Sequence, residues 1–187
     1  MIKGNEDSTE RSMMIGVIGS DDHAGESISA HALEVATAVG RRVAERGAIL
    51  ITGGTGGIME AASAGARGAR GIVVGLLPGV NRADANQHVT IPITTGLGAL
   101  RSHVTVATSD AIIMIAGSTG TLNEATIAYA QNKPLIVVTG TGGWSDRLGD
   151  VLYDGAHFDV RATSAVEFVS TAEDAVERAM KFAETSN

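Results

Sequence analysis

Cysteine is absent from this sequence, which excludes disulfide bonds, thiolate metal sites and cysteine nucleophiles. Aromatic residues are scarce, at 3%, so Ala, Val, Ile and Leu must fill the interior. No apolar run approaches the roughly 20 residues of a membrane-spanning helix, and the N-terminus is polar and charged, unlike a signal peptide. We therefore expect a cytoplasmic protein whose core is held by packing alone.

Positive charge is also in the minority. The chain has 14 Lys and Arg against 21 Asp and Glu, for a formal net charge of -7. This balance disfavours nonspecific association with nucleic acid or with an anionic membrane surface. The expected partner is therefore a small molecule, and neither nucleic acid nor a membrane is expected to bind.

Glycine, in contrast, is abundant, with 24 residues, and indicates tight turns and close backbone approach. The hydrophobic content of 44% in 187 residues is enough to bury a substantial core. No repeat of fixed period and no linker rich in Pro or Ser divides the chain. The sequence predicts a disordered polar tail over residues 1–12 and one domain over residues 13–187.

Short apolar runs alternate with amphipathic stretches along this domain. Strands are predicted at residues 14–18, 48–52, 72–77, 89–93, 111–115 and 135–139. Helices are predicted at about residues 30–46, 58–66, 97–108, 122–132 and from Ser170 or Thr171 onward. Continuously apolar strands are covered on both faces, and their alternation with helices implies right-handed crossovers. The predicted fold class is α/β, a single-domain three-layer Rossmann-like fold with a doubly wound, mainly parallel sheet.

Two of the predicted strand-to-helix connections are rich in glycine. The first, Gly53-Gly54-Thr55-Gly56-Gly57, would let backbone N–H groups converge on an anion at the start of a helix. It matches neither the nucleoside triphosphate P-loop nor the dinucleotide fingerprint. The second, Gly117-Ser118-Thr119-Gly120-Thr121, adds hydroxyl donors. Because ligands of such sheets bind beyond the carboxyl ends of the strands, both loops predict phosphate binding.

Each loop also has a purely structural interpretation. The first could form only a tight turn against a neighbouring helix, and Thr121 could cap the helix after the second. The candidate ligand-binding residues are Gly19, Ser20, Gly53, Gly54, Thr55, Gly56, Gly57, Gly117, Ser118, Thr119, Gly120 and Thr121.

Arg101 and Glu124 are the candidate catalytic residues. Glu124 follows the second loop by about one helical turn, where it could act as a general base, accept from a ribose hydroxyl, or simply offset the helix dipole. Arg101 is isolated in a stretch without other charged residues. This isolation suggests an anionic partner, with solvent exposure as the ordinary alternative.

Two further features have structural interpretations. Asp21, Asp22 and His23 are consecutive and cannot converge on a metal, so they are interpreted as a solvated loop, and no metal site is predicted. Trp144, the single Trp, is interpreted as a wedge that packs a loop against the domain, with stacking on a base as the alternative.

The two glycine motifs, Gly53-Gly54-Thr55-Gly56-Gly57-Ile58-Met59-Glu60-Ala61-Ala62 and Gly117-Ser118-Thr119-Gly120-Thr121-Leu122-Asn123-Glu124, lie on either side of Arg101. In this order they resemble the LOG (LONELY GUY, "lysine decarboxylase-like") superfamily. The resemblance covers about residues 14–139 and is strongest to the branch that contains molybdenum cofactor carrier proteins. It implies homo-oligomers, either dimers or tetramers.

The enzymes of that superfamily hydrolyse the N-glycosidic bond of a nucleoside 5′-monophosphate, and the resemblance implies this activity as one alternative. The glycine loops would hold the phosphate, Arg101 would fix the ligand, and Glu124 would orient or activate water and stabilise positive charge on the ribose. No metal or other cofactor is required for that reaction.

The sequence departs from the enzymes' usual pattern, Pro-Gly-Gly-x-Gly-Thr-x-x-Glu. Ala116 stands in place of the Pro, Ser118 in place of the second Gly, Ser102 where hydrolases commonly carry Lys, and Glu60 in place of a frequent Gly. These departures favour a protein that binds a phosphorylated, nucleotide-like ligand, with the molybdenum cofactor as possible cargo. The retained Arg and Glu favour the alternative, a phosphoribohydrolase that releases free base and ribose 5-phosphate.

Overall fold

The structure is a computed structural model that describes residues 11–22 and 27–185. Its seven strands form one sheet: β1 (Met14–Gly19), β2 (Ile49–Thr52), β3 (Val73–Leu77), β4 (Ile91–Thr94), β5 (Ala111–Ile115), β6 (Leu135–Val138) and β7 (Val166–Val169). The strand order is β4-β3-β2-β1-β5-β6-β7, and every neighbouring pair is parallel. The predicted α/β Rossmann-like fold is therefore confirmed.

Helices connect and cover the strands: α1 (Ala30–Glu45), α2 (Gly57–Gly68), α3 (Arg101–Thr108), α4 (Thr119–Ala130), α5 (Leu148–Val151) and α6 (Ala172–Thr185). Short 3₁₀ turns lie at Arg82–Asp84, Gly98–Leu100 and Gly143–Asp146. None of the helices in the described part of the chain is long and apolar enough to cross a membrane.

The direction of winding reverses beside β1. The chain moves outward through β2, β3 and β4, then returns to place β5 on the opposite side of β1, in register from Ile15↔Ala111 to Gly19↔Ile115. Such a reversal leaves a crevice beyond the carboxyl ends of the two central strands, because their following helices diverge to opposite faces. This crevice positions the candidate site.

Each predicted strand and helix has a counterpart, with ends shifted by a few residues. The strand β7 and the short helix α5 were not predicted. The sequence of β7 is Val-Glu-Phe-Val, in which Glu167 interrupts the apolar pattern. Glu167 forms an ion pair with Arg178 of α6 at 3.3 Å. An edge strand with a charged side chain lacks the continuous apolar run by which the inner strands were recognised.

The N-terminal end of the domain is tied down by Asp110. Its carboxylate contacts the Arg11 guanidinium and accepts a 2.8 Å hydrogen bond from the Met14 backbone N–H. Residues 1–10 of the predicted tail lie outside the described residues. Arg11 belongs to the predicted tail, yet it contacts the folded part of the chain. The predicted domain boundary at residue 13 stays a prediction.

The two faces of the sheet bury separate clusters of aliphatic side chains, and β5 is buried along its whole length. On one face, α1 and α2 pack against each other at very short range. A Cβ atom built on Gly65 of α2 would overlap the Thr37 carbonyl oxygen, and one on Gly40 of α1 would overlap that of Ala62. Glycine is therefore needed at both positions for the helix backbones to touch.

A matched pair of glycine substitutions in α2 tests this packing. Gly65→Ala should lower the free energy of unfolding by about 1–3 kcal/mol, because the two helices must separate. Gly68→Ala faces open space and should raise it by up to about 1 kcal/mol through helix propensity. Urea unfolding of the two variants measures both changes, and equal effects would contradict the packing explanation.

Candidate ligand-binding site

A cavity of about 590 Å³ opens where the winding of the sheet reverses. It lies beyond the carboxyl ends of β1, β5 and β6. Its lining consists of Ser20, Ser27, Ile28, Ser29, Ala116, Gly117, Ser118, Thr119, Gly140, Thr141, Gly142, Gly143, Trp144, Asp146 and Arg147. This volume is in the range that accommodates a nucleotide-sized molecule.

Two helices begin at the wall of this cavity. The lining residue Ser29 is the N-cap of α1 and accepts a 3.1 Å hydrogen bond from the Ala32 N–H, and Ser118 is the N-cap of α4. Neither helix has an acidic residue in its first turn. Both N-termini therefore present partial positive charge to the cavity without an opposing carboxylate in the same turn.

The loop between β5 and α4 has a specialised backbone. Ala116 has φ +54°, and its N–H donates to Thr141 Oγ1 at 2.9 Å. Gly117 follows with φ +113°, and its N–H donates to Ser20 Oγ at 3.0 Å. Thr121 lies inside the first turn of α4 and is buried, so the N-cap position of the helix belongs to Ser118 and not to Thr121. These bonds join the carboxyl ends of β1, β5 and β6.

The segment after β6, residues 140–147, forms another part of the cavity wall. It was not among the residues predicted from the sequence to bind a ligand. The Trp144 N–H donates to the Gly117 carbonyl at 2.9 Å, and the Ser145 N–H donates to the Ala116 carbonyl at 3.0 Å. Asp146 accepts from the N–H groups of residues 140 and 142 at 2.5 and 2.9 Å. The available sequence signal was Gly140-Thr141-Gly142-Gly143, a third glycine-rich segment directly after a strand.

Ser27, Ile28 and Ser29 form the remaining wall and were also missed by sequence analysis. They precede α1 without a glycine motif, so only their proximity to the second loop marks them. Of the predicted ligand-binding residues, Ser20, Gly117, Ser118 and Thr119 line the cavity. Gly120 is exposed in the first turn of α4, directly after Thr119.

The first glycine loop lies beside this cavity and does not line it. Its glycines accommodate other parts of the protein: Gly53 lies against the Arg101 guanidinium, and Gly56 lies against the Asp22 carboxylate. Gly57 lines a separate cavity of about 430 Å³. Gly19, at the end of β1, packs against the Ile115 carbonyl. Phosphate binding by the first loop stays a prediction.

Carboxylates surround the start of α2, which follows the first loop. Glu60 lies in the first turn of the helix, Asp21 accepts a 2.6 Å hydrogen bond from Thr55 Oγ1, and Asp22 lies against the N-cap. The Asn86 side-chain amide donates to the Thr55 carbonyl at 2.8 Å. An anion would meet repulsion here that is absent from the first turns of α1 and α4. His23 lies outside the described residues.

The candidate catalytic residues lie close to each other. Arg101 opens α3, and its Nη1 is 3.4 Å from Glu124 Oε1 on α4. Among the described residues, Arg101 Nε is the one buried side-chain nitrogen or oxygen without a hydrogen-bond partner. Neither side chain is among the residues that line the 590 Å³ cavity.

Glu124 is almost completely buried, with 6% of its surface exposed. Burial raises the pKa of its carboxyl above the ordinary value of 4.5, and the charge of Arg101 and a hydrogen bond with Ser102 oppose that rise. A protonated carboxyl could donate a proton, whereas an ionised one could accept one, so the pair is chemically suited to acid–base chemistry.

Comparisons with known proteins identify a matching family and several similar structures. A family model described as the SLOG cluster4 family matches residues 12–176. The structural-genomics target TM1055 is 34% identical, covers 90% of this chain and 99% of its own, and has a TM-score of 0.85.

Two similar structures are those of proteins that bind or carry the molybdenum cofactor. The molybdenum cofactor binding protein of Rippkaea orientalis is 31% identical, with 92% of this chain and 98% of that chain covered and a TM-score of 0.78. The molybdenum cofactor carrier protein of Chlamydomonas reinhardtii is 28% identical over the same shares, with a TM-score of 0.76.

Glu124→Gln removes a buried titrating group. Because its pKa is raised in the folded chain, the carboxyl's contribution to stability is fully present below the unfolded pKa and is lost as pH rises through the folded pKa. We expect the unfolding free energy of the unmodified protein to fall relative to that of the variant above about pH 4.5. Urea titrations at a series of pH values measure the difference.

Arg101→Gln serves as the paired control for the same titration. Without the guanidinium, the pKa of Glu124 should rise further and the stability loss should extend to higher pH. Parallel pH profiles of the unmodified protein and Glu124→Gln would show that the Glu124 carboxyl is not perturbed by folding.

Proposed function

The chain belongs to the SLOG cluster4 family, and from that membership we propose that it binds a phosphate-bearing, nucleotide-like ligand, as a molybdenum cofactor carrier-type protein. The carrier and binding proteins of Chlamydomonas reinhardtii and Rippkaea orientalis support this choice of ligand class. The molybdenum cofactor would be bound cargo, and no step of chemistry on it is required.

The observation that carries the proposal is the 590 Å³ cavity onto which the N-termini of α1 and α4 open. Two helix dipoles point their positive ends at one space, and backbone N–H groups and hydroxyls are available in the same place. A phosphate monoester fits this combination because it is doubly anionic and accepts several hydrogen bonds.

Specific side chains supply the polar contacts. Ser118 and Thr119 offer hydroxyls at the start of α4, and the positively charged Arg147 also lines the cavity. Asp146 also lies in the lining, but its carboxylate accepts two backbone N–H groups of its own loop. That carboxylate therefore holds the loop after β6 in place.

A charge pair at Thr119 tests the position of the phosphate. Thr119 is exposed, lines the cavity and occupies the first position of α4. Thr119→Asp should weaken binding of extracted molybdenum cofactor and of a nucleoside 5′-monophosphate about tenfold or more by like-charge repulsion. Thr119→Asn, which has the same shape without the charge, should change affinity much less. Calorimetry or equilibrium dialysis gives both values.

Thermal unfolding separates binding from folding in this pair. An acidic residue in the first turn of a helix is favourable for the helix dipole, so Thr119→Asp should be at least as stable as Thr119→Asn. Equal affinities of the two variants would place the phosphate elsewhere.

A second candidate function is a phosphoribohydrolase that cleaves a nucleoside 5′-monophosphate to free base and ribose 5-phosphate. The observation in its favour is the contact between Arg101 and Glu124, together with the unpartnered Nε of Arg101, which has a hydrogen bond left to donate. Such a donor suits a ligand oxygen.

Two observations weigh against hydrolysis. Glu124 is nearly inaccessible and lies outside the cavity lining, so a ligand there could not contact it without rearrangement. Ala116 stands where the hydrolases carry Pro, and its φ of +54° and donated N–H are both incompatible with proline. The loop before α4 therefore has a backbone that the hydrolase pattern does not adopt.

Incubation with a panel of nucleoside 5′-monophosphates decides between the two functions. We expect no free base by chromatography, with binding retained. Release of base that disappears in Glu124→Gln, a variant of the same shape, would establish a phosphoribohydrolase and reject the carrier-only function.

A further inference from the structure

We infer that Trp144 recognises a planar heteroaromatic ring in the ligand, so that the cavity selects a ring-bearing phosphomonoester over a bare sugar phosphate. This inference rests on the proposed function, since it concerns the other end of the same ligand. Trp144 packs against the core, as its interpretation as a wedge predicts, and its place in the cavity lining favours the alternative interpretation, stacking, in addition.

The position of Trp144 is fixed by its backbone. Its N–H donates to the Gly117 carbonyl at 2.9 Å, and the following N–H, of Ser145, donates to the Ala116 carbonyl at 3.0 Å. Ser145 Oγ adds a 2.8 Å hydrogen bond to the same Ala116 carbonyl. The residue is therefore attached directly to the loop that begins α4, where the phosphate is proposed to bind.

The residue before Trp144 shows how close this attachment is. Gly143 has φ +60°, and a Cβ atom there would overlap the Gly117 carbonyl oxygen. Only glycine lets the two loops lie in backbone contact. Asp146 completes the arrangement by accepting the N–H groups of Gly140 and Gly142. A binding surface held this rigidly loses little conformational entropy when a ligand arrives.

The indole has both an anchored and an available part. Trp144 is partly buried and packs against the aliphatic cluster on one face of the sheet, yet it also forms part of the cavity wall. Among the described residues that line the cavity, it is the only aromatic one. An aromatic ring at the edge of a polar, phosphate-binding cavity is suited to stacking, which every purine and pterin ring allows.

The other lining residues agree with a two-part ligand. Ser29, Ser118 and Thr119 supply hydroxyls at two helix N-termini, and Trp144, on the loop after β6, supplies an aromatic ring. A molecule with an anionic phosphate and a flat ring contacts both. A sugar phosphate without a ring contacts only the first.

The test compares three probes on the full chain: guanosine 5′-monophosphate, molybdenum cofactor released from a denatured molybdoenzyme, and ribose 5-phosphate. Trp144 is the only Trp, so the indole fluorescence of the unmodified protein reports on this residue alone. The two ring-bearing phosphates should quench or shift the emission, and ribose 5-phosphate should bind without doing so.

Affinities of variants supply the decisive readout. Trp144→Ala should weaken binding of the ring-bearing phosphates about tenfold to a hundredfold, as expected for lost stacking. The affinity for ribose 5-phosphate should not change. Trp144→Phe keeps a ring and should retain most of the affinity. Calorimetry measures both variants, and thermal unfolding confirms that Trp144→Phe is folded should Trp144→Ala fail to fold.

The outcomes separate this inference from the proposed function. The protein could bind ribose 5-phosphate and the ring-bearing probes with equal affinity, and Trp144→Phe and Trp144→Ala could leave those affinities unchanged. That result would overturn the role of Trp144 and leave phosphate binding intact. Equal weakening of all phosphates by Trp144→Ala would assign it a structural role and overturn the inference. If the unmodified protein binds none of the three probes, the proposed function and the inference both fail.

Discussion

The parallel pairing of β1 with β5 is the contact on which the site depends. It joins two segments separated by three other strands, and it places the ends of both strands side by side at Gly19 and Ile115. From there the chain enters α1 on one side and α4 on the other. The 590 Å³ cavity exists because these two connections cannot close over each other.

Electrostatics distinguishes between helix starts that look similar in sequence. The first turns of α1 and α4 contain no acidic residue, whereas α2 begins with Glu60 in its first turn and has Asp21 and Asp22 nearby. The positive end of the helix dipole thus faces nearby carboxylates at α2, whereas the first turns of α1 and α4 contain none. This difference, more than the number of glycines, indicates where an anion is favoured.

Glycine has two separate uses in this chain. At Gly65, and at Gly53 and Gly56 in the first loop, the missing side chain makes room for another part of the protein. At Gly143, it brings the two loops of the cavity wall into backbone contact, and Gly117 combines a positive φ with room for the Thr121 side chain. A glycine-rich motif therefore predicts close approach, but the identity of the approaching group depends on the neighbours that the fold supplies.

The sequence by itself determined the α/β class and the placement of the elements, because apolar runs and helical periodicity are local properties of the chain. It also indicated Ser20, Gly117, Ser118 and Thr119, which line the cavity, as candidate ligand-binding residues. Only the tertiary structure decided that the first glycine loop lies beside the cavity, and that Ser29 and Trp144 line it. Strand order and loop contacts are non-local, since β1 meets β5 across about 100 residues, and no local pattern encodes that pairing.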